Sequence, residues 1–167
     1  MAAERRQQRL ATRFAAFGTL IFGCVLAATL TLQVHAATTE RVVTDRHTGL
    51  AINGFDPVAY FTDAVARLGL SDFELASSGV TWRFRNEGNM AAFAADPEIY
   101  APQFGGYDPV GIARGVATAG HPQVFLIHAK RLYLFQSAET RAHFAADPAI
   151  RLSALEKWPD VQRDLIP

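Results

Sequence analysis

Two pentapeptides decide the reading of this chain: Gly54-Phe55-Asp56-Pro57-Val58 and, 52 residues later, Gly106-Tyr107-Asp108-Pro109-Val110. Working outward, Phe93-Ala94-Ala95-Asp96-Pro97 recurs 51 residues on as Phe144-Ala145-Ala146-Asp147-Pro148, with Phe84 matching Phe135 and Ile99 matching Ile150. Matches that keep nearly one offset across separate segments mark one supersecondary unit used twice.

Each copy reads the same way. Asp before Pro can accept hydrogen bonds from the next backbone amides while Pro fixes φ at the first helical position, so D-P-V predicts a turn into a short helix. Runs rich in aromatic and β-branched residues follow, Ser71–Ser77 and Val80–Arg85 in the first copy, Gln123–Ala129 and Arg131–Gln136 in the second. Ser78-Gly79 and Ala129-Lys130 are the predicted hairpin turns. Helices are predicted over Asn86–Ala95 and Ser137–Ala146, each stopped by Asp-Pro because the residue before Pro disfavours the α conformation. Met90, Phe93 and Ala94 share one helical face. The expected fold is α+β: two pseudo-repeated β-hairpin–helix units, residues 54–100 and 106–150, form one small domain over 51–150. A linker (36–50) precedes it and a helical tail (151–167) follows.

Ahead of the domain lie 21 consecutive uncharged residues, Phe14 to Val34. As a helix at ~1.5 Å per residue they reach ~30 Å, the thickness of a bilayer's hydrocarbon core. A single transmembrane helix is therefore expected over 14–35, with Phe14, Phe17, Leu20, Ile21, Phe22, Val25, Leu26, Leu30 and Leu32 as the membrane anchor. A cleaved secretory signal is the alternative, since Val34-His35-Ala36-Ala37 offers a small-residue exit. Arg5, Arg6, Arg9 and Arg13 make residues 1–13 a basic cytoplasmic lead by the positive-inside rule. The domain then lies outside the cytoplasm, in a periplasm for a bacterial source, anchored to the inner membrane or, if cut, soluble there.

The chain carries 16 basic and 16 acidic side chains, and residues 41–167 alone carry 12 and 14. A nucleic-acid binder needs a basic excess to displace counterions from phosphates, so none is expected as partner. The one cysteine, Cys24, falls in the apolar run, so the domain can form no disulfide of its own.

The repeat unit resembles the YHS domain, whose metal-binding members read D-P-V-C-G-M and then Y-x-F-C-S-x-x-C-x-x-x-F-x-x-D-P-x-x-Y. Here stand Asp56-Pro57-Val58-Ala59-Tyr60-Phe61, Trp82-Arg83-Phe84-Arg85-Asn86-Glu87-Gly88-Asn89, Phe93, Asp96-Pro97 and Tyr100. Tyr100-Ala101-Pro102-Gln103-Phe104-Gly105-Gly106-Tyr107 is similar to the longer exported members, and the likeness covers roughly residues 51–150. The departures matter most. Where the resemblance implies thiolates, this chain has Ala59, Arg85 and Asn89, and in the second copy Gly111, Gln136 and Thr140. Soft thiolates are what holds Cu(I) or Zn(II) in such a site, so no cofactor or metal is expected.

The histidines His47, His121, His128 and His143 form no H-x-H or H-x-x-x-H pair and are expected as ordinary surface or half-buried residues. A copper-type protein with noncanonical His, Asp or Met ligands is the rival reading. No nucleophile elbow, P-loop or dinucleotide fingerprint is present, which favours a chain without catalysis. Asp56 and Asp108 could form a carboxylate pair in a small-molecule site or enzyme, but capping explains them more simply. The aromatic residues near the D-P-V segments, which a pseudo-twofold arrangement would bring to its axis, are mainly core, with some able to form a docking face. Phe55, Tyr60, Phe104, Tyr107 and, in the tail, Trp158 are the candidates for that face. The expected function is an accessory or interaction subunit of a membrane protein complex, held to lipid by the N-terminal helix.

Overall fold

The structure, a computed structural model, describes residues 40–165. The expected span at 14–35 lies outside the described residues, and among those described no helix is long and apolar enough to cross a membrane. The architecture is α+β, built from two antiparallel hairpins and their helices.

In copy one a turn of 3-10 helix, Ile52–Gly54, leads through Asp56 into α1 (Ala59–Thr62), then β1 (Leu70–Ser77), β2 (Val80–Phe84), α2 (Glu87–Ala95) and α3 (Pro97–Tyr100). Copy two repeats the series: a 3-10 turn over Gln103–Gly106, α4 (Pro109–Ile112), β3 (His121–His128), β4 (Arg131–Phe135), α5 (Ala138–Ala146) and α6 (Pro148–Arg163). The duplication extends to single hydrogen bonds. Asp56 N–H donates to Arg67 O as Asp108 N–H donates to Thr118 O, and Gly69 N–H to Gly54 O as Gly120 N–H to Gly106 O. Both first strands break register in the same place, between Leu70 and Glu74 and between His121 and Phe125.

The local signals act as the residues dictate. Both hairpin turns hold two residues at positive φ, Ser78 and Gly79, then Ala129 and Lys130, the primed geometry that matches strand twist. Asn86 caps α2 by accepting from Asn89 N–H, and Ser137 and Thr140 cap α5 reciprocally. The shared face of α2 is narrower than its spacing suggested: Phe93 is buried and Met90 half-buried, but Ala94 is exposed.

The copies do not meet across a twofold axis. They stack head to tail. The front of hairpin one, Trp82 and Phe84 with Phe93 behind them, is covered by the back of hairpin two: Phe125, Ile127, Leu132 and Leu134. The equivalent back positions of hairpin one are Glu74, Ala76, Thr81 and Arg83, and there a 2.6 Å Arg83–Glu74 ion pair faces solvent. The front of hairpin two, Tyr133 and Phe135 with Phe144, has no third copy to cover it. Ala154, Val161 and Leu165, brought by α6, take that place together with Val43 and Phe104.

Two sequence boundaries move as a result. α6 begins at Pro148, the counterpart of α3's Pro97, and runs 16 residues through the expected 150/151 division, its inner face part of the core. The segment read as a linker is also structural over its described part. Val43 donates to Gly105 O and accepts from Ile52 N–H, tying the two 3-10 turns together. Its polar residues serve a tight turn, where Asp45 Oδ1 accepts from the His47 and Thr48 amides. Both tied turns hold residues in the left-handed region, Ile52 (φ 43°) and Phe104 (φ 56°), a conformation that β-branched and bulky side chains rarely adopt.

Candidate functional site

Asp56 and Asp108 are fully buried, and each is absorbed within its own copy. Asp56 Oδ1 accepts from Val58 N–H (2.8 Å) and Ala59 N–H (3.2 Å), while Oδ2 accepts from Arg85 N–H and Asn89 Nδ2, both at 2.7 Å. Asp108 Oδ1 accepts from Val110 N–H and Oδ2 from Gln136 N–H, both at 2.8 Å. Each carboxylate thus caps a helix start with one oxygen and pins the end of the second hairpin strand with the other. No hydrogen bond joins the two carboxylates, and among the described residues no buried side-chain polar atom lacks a partner. Both carboxylates are occupied as caps of helix starts.

Three of the positions where the resemblance to the YHS domain implies thiolates do converge. Ala59, Arg85 and Asn89 all donate to Asp56, Ala59 and Arg85 through their backbone amides. They do not fit a soft metal. Asn89 supplies an amide donor, Ala59 has no ligating atom, and the Arg85 guanidinium, which donates to Leu68 O, brings a positive charge. In copy two the Thr140 hydroxyl bonds to Ser137 O. Among the described residues no group of three or more His, Cys, Asp or Glu side chains is placed to hold a metal ion. His121 Nδ1 accepts from Gln123 N–H, and His128 lies edge-on to Phe144, so both have local roles.

Three of the five candidate interaction residues turn inward. Tyr60, Phe104 and Tyr107 are buried and so form no docking face. The Tyr60 hydroxyl donates to Pro122 O across the joint between copies, and its ring meets Phe125 edge-on at 4.8 Å. Burial, with the Asp56 charge, pushes the Tyr60 phenol well above its ordinary pKa. The Tyr107 hydroxyl donates to Glu40 O. Phe55 and Trp158 stay half-buried, Trp158 packing edge-on against Phe104 at 5.7 Å.

Two surface features were missed. The first surrounds Phe55, which bridges to Leu68. The loop beyond α1 exposes Leu68 (56%) and the start of β1 exposes Leu70 (44%), with Val65 also outward. Its counterparts in copy two are Ala119 and His121, with Val116 alone retained. The second is an open groove of about 1010 Å³ between the tip of hairpin one, α3 and α6. Both tryptophans, Trp82 and Trp158, line it, with Phe104, Leu155, Arg41 and Arg131. Arg131 is braced by donating to Glu98 O. No single stretch of sequence announces this groove, because its walls come from six elements and the Arg41–Val42 segment, spread over more than 100 residues of chain.

Compared with models of protein families, with curated proteins and with solved structures, the chain matches none.

Proposed function

We propose that the chain is a non-catalytic YHS-like domain, anchored outside the cytoplasm by residues 14–35, that serves as an accessory subunit of a membrane protein complex. The convergence of Ala59, Arg85 and Asn89 on Asp56 supports the YHS-like reading, and their chemistry supports the loss of metal handling. The observation that carries the interaction role is the contrast between the copies. One fold position holds Leu68 and Leu70 in copy one but Ala119 and His121 in copy two, so folding does not demand leucine there. Exposed leucines that the fold does not require, beside half-buried Phe55, make a contiguous apolar patch of the kind that meets a protein partner.

The test borrows copy two's residues. Leu68→Ala with Leu70→His should leave the unfolding midpoint unchanged within about 0.5 kcal/mol, as for exposed substitutions generally. In native gels of mild-detergent extracts the same variant should lose co-migration with the complex. Co-migration that survives the exchange, or wild-type protein that runs as a free monomer, would refute the proposal.

A further inference from the structure

The groove is separate from the Leu68 patch, and its position along the chain constrains where it can face. Arg41, one of its walls, lies six residues beyond His35, the last residue of the proposed anchor. Six fully extended residues span at most ~21 Å, and the headgroup layer takes up ~5–8 Å of that. A domain of this size has a radius of gyration of ~14 Å, so a wall held within ~15 Å of the headgroups belongs to the membrane-proximal side. The composition of that side suits an interface. Arg41 and Arg131 sit beside half-buried Trp158, with Glu98 the one carboxylate among the described lining residues, and α6 exposes Leu152 (60%) and Leu155 (44%) one turn apart next to Trp158. Arginine, tryptophan and leucine gathered on one face are what a helix or groove uses to rest at the boundary between headgroups and acyl chains.

We infer that the groove and the adjoining face of α6 dock on the bilayer itself, with Arg41 and Arg131 on anionic lipid phosphates and Trp158, Leu152 and Leu155 at the level of the upper acyl carbons. The inference rests on the anchor proposed above but not on the protein partner. Docking fixes the orientation of the domain on its tether and leaves the Leu68 patch for a neighbour in the membrane.

The experiment uses the full chain reconstituted in nanodiscs whose lipids carry a headgroup spin label. Of the chain's two tryptophans Trp82 is buried in the core and Trp158 is half-buried at the groove, so a Trp82→Phe background leaves Trp158 as the groove's reporter. Emission should be quenched in discs containing phosphatidylglycerol and recover in discs of phosphatidylcholine alone. An arginine near an anionic surface is worth about a fivefold factor, so Arg41→Gln with Arg131→Gln should lower the docked-to-undocked ratio about thirtyfold. Salt at ~1 M should act in the same direction, by screening. Flotation of the discs reads the anchor independently. A chain that does not float with them removes the anchor and this inference with it. A chain that floats with unquenched tryptophan overturns docking alone, as does quenching indifferent to lipid charge and to both arginines. Quenching that appears only when a membrane protein is added assigns the groove to protein and overturns the inference too. Wild-type protein in the two lipids decides the matter even if the double variant misfolds.

Discussion

Replacing Asp56 separates a structural carboxylate from a chemical one. Asp56→Ala strands two fully buried donors, Val58 N–H and Ala59 N–H, and two partly buried ones, Arg85 N–H and Asn89 Nδ2. A buried donor left without a partner costs about 1–3 kcal/mol, and the partly buried pair recovers some water, so the expected loss is about 3–4 kcal/mol. Asp108→Ala strands one buried and one partly buried donor and should cost about 2 kcal/mol. Asp56→Asn is the sharper probe. All four of Asp56's partners are donors, so an amide in its place turns two N–H groups toward other N–H groups, and about 2–3 kcal/mol should be lost although shape is conserved. For a domain of this length roughly 4 °C of melting temperature accompanies each kcal/mol. Melts of the full chain in mild detergent, followed by circular dichroism, should therefore rank wild type, Asp108→Ala and Asp56→Ala in falling order, with drops of roughly 8 and 12–16 °C. If Asp56→Asn melts with wild type, or if Asp108→Ala is the more damaging, the capping account is wrong and the carboxylate needs another explanation.

Ending the chain at Asp147 removes α6 and uncovers Tyr133, Phe135 and Phe144, so the cooperative transition should vanish and a dye such as ANS should bind; a retained sharp transition would show that α6 is not a cap. In alkali, the folded state keeps the Tyr60 proton above the 10.0 at which an ordinary phenol loses it, so stability should hold up to about pH 10 and fall beyond it. Tyr60→Phe should cost about 1 kcal/mol at neutral pH through the lost bond to Pro122 O and should make that fall shallower, though burial raises Tyr133 as well; urea midpoints at pH 8 and 11 check both effects. Ala129 and Lys130 hold positive φ without being glycine, so Ala129→Asn with Lys130→Gly should stabilise the second hairpin by about 1 kcal/mol, read as a higher denaturant midpoint at unchanged slope.

Local chemistry was legible in the sequence because it is carried by neighbours along the chain. Asp56 and Asp108 at D-P-V, Ser137 with Thr140, Gly79 in its turn and the Asp-Pro stops all take roles that their immediate residues dictate. How the copies pack was not read from the repeat, although a signal was available. Aligned on the offset, Glu74, Ala76, Thr81 and Arg83 stand against Phe125, Ile127, Leu132 and Leu134, and only the second set can be interior. A repeat matched for likeness hides what such differences say. Trp158, a candidate for the docking face, instead packs on Phe104 and stays half-buried. Arg41, Arg131 and Leu155 had no local pattern to mark them, because a groove between elements is a property of the tertiary fold. The burial of Tyr60 and Tyr107 follows similarly from long-range partners, Pro122 and Glu40, that spacing does not encode.

Head-to-tail stacking also sets an order of events during synthesis. Copy one leaves the ribosome first, yet its core stays open until Phe125, Ile127, Leu132 and Leu134 arrive, and copy two waits in turn for Ala154, Val161 and Leu165. No half of the domain can fold and rest. Nearly the whole polypeptide must therefore emerge before either copy's core can close.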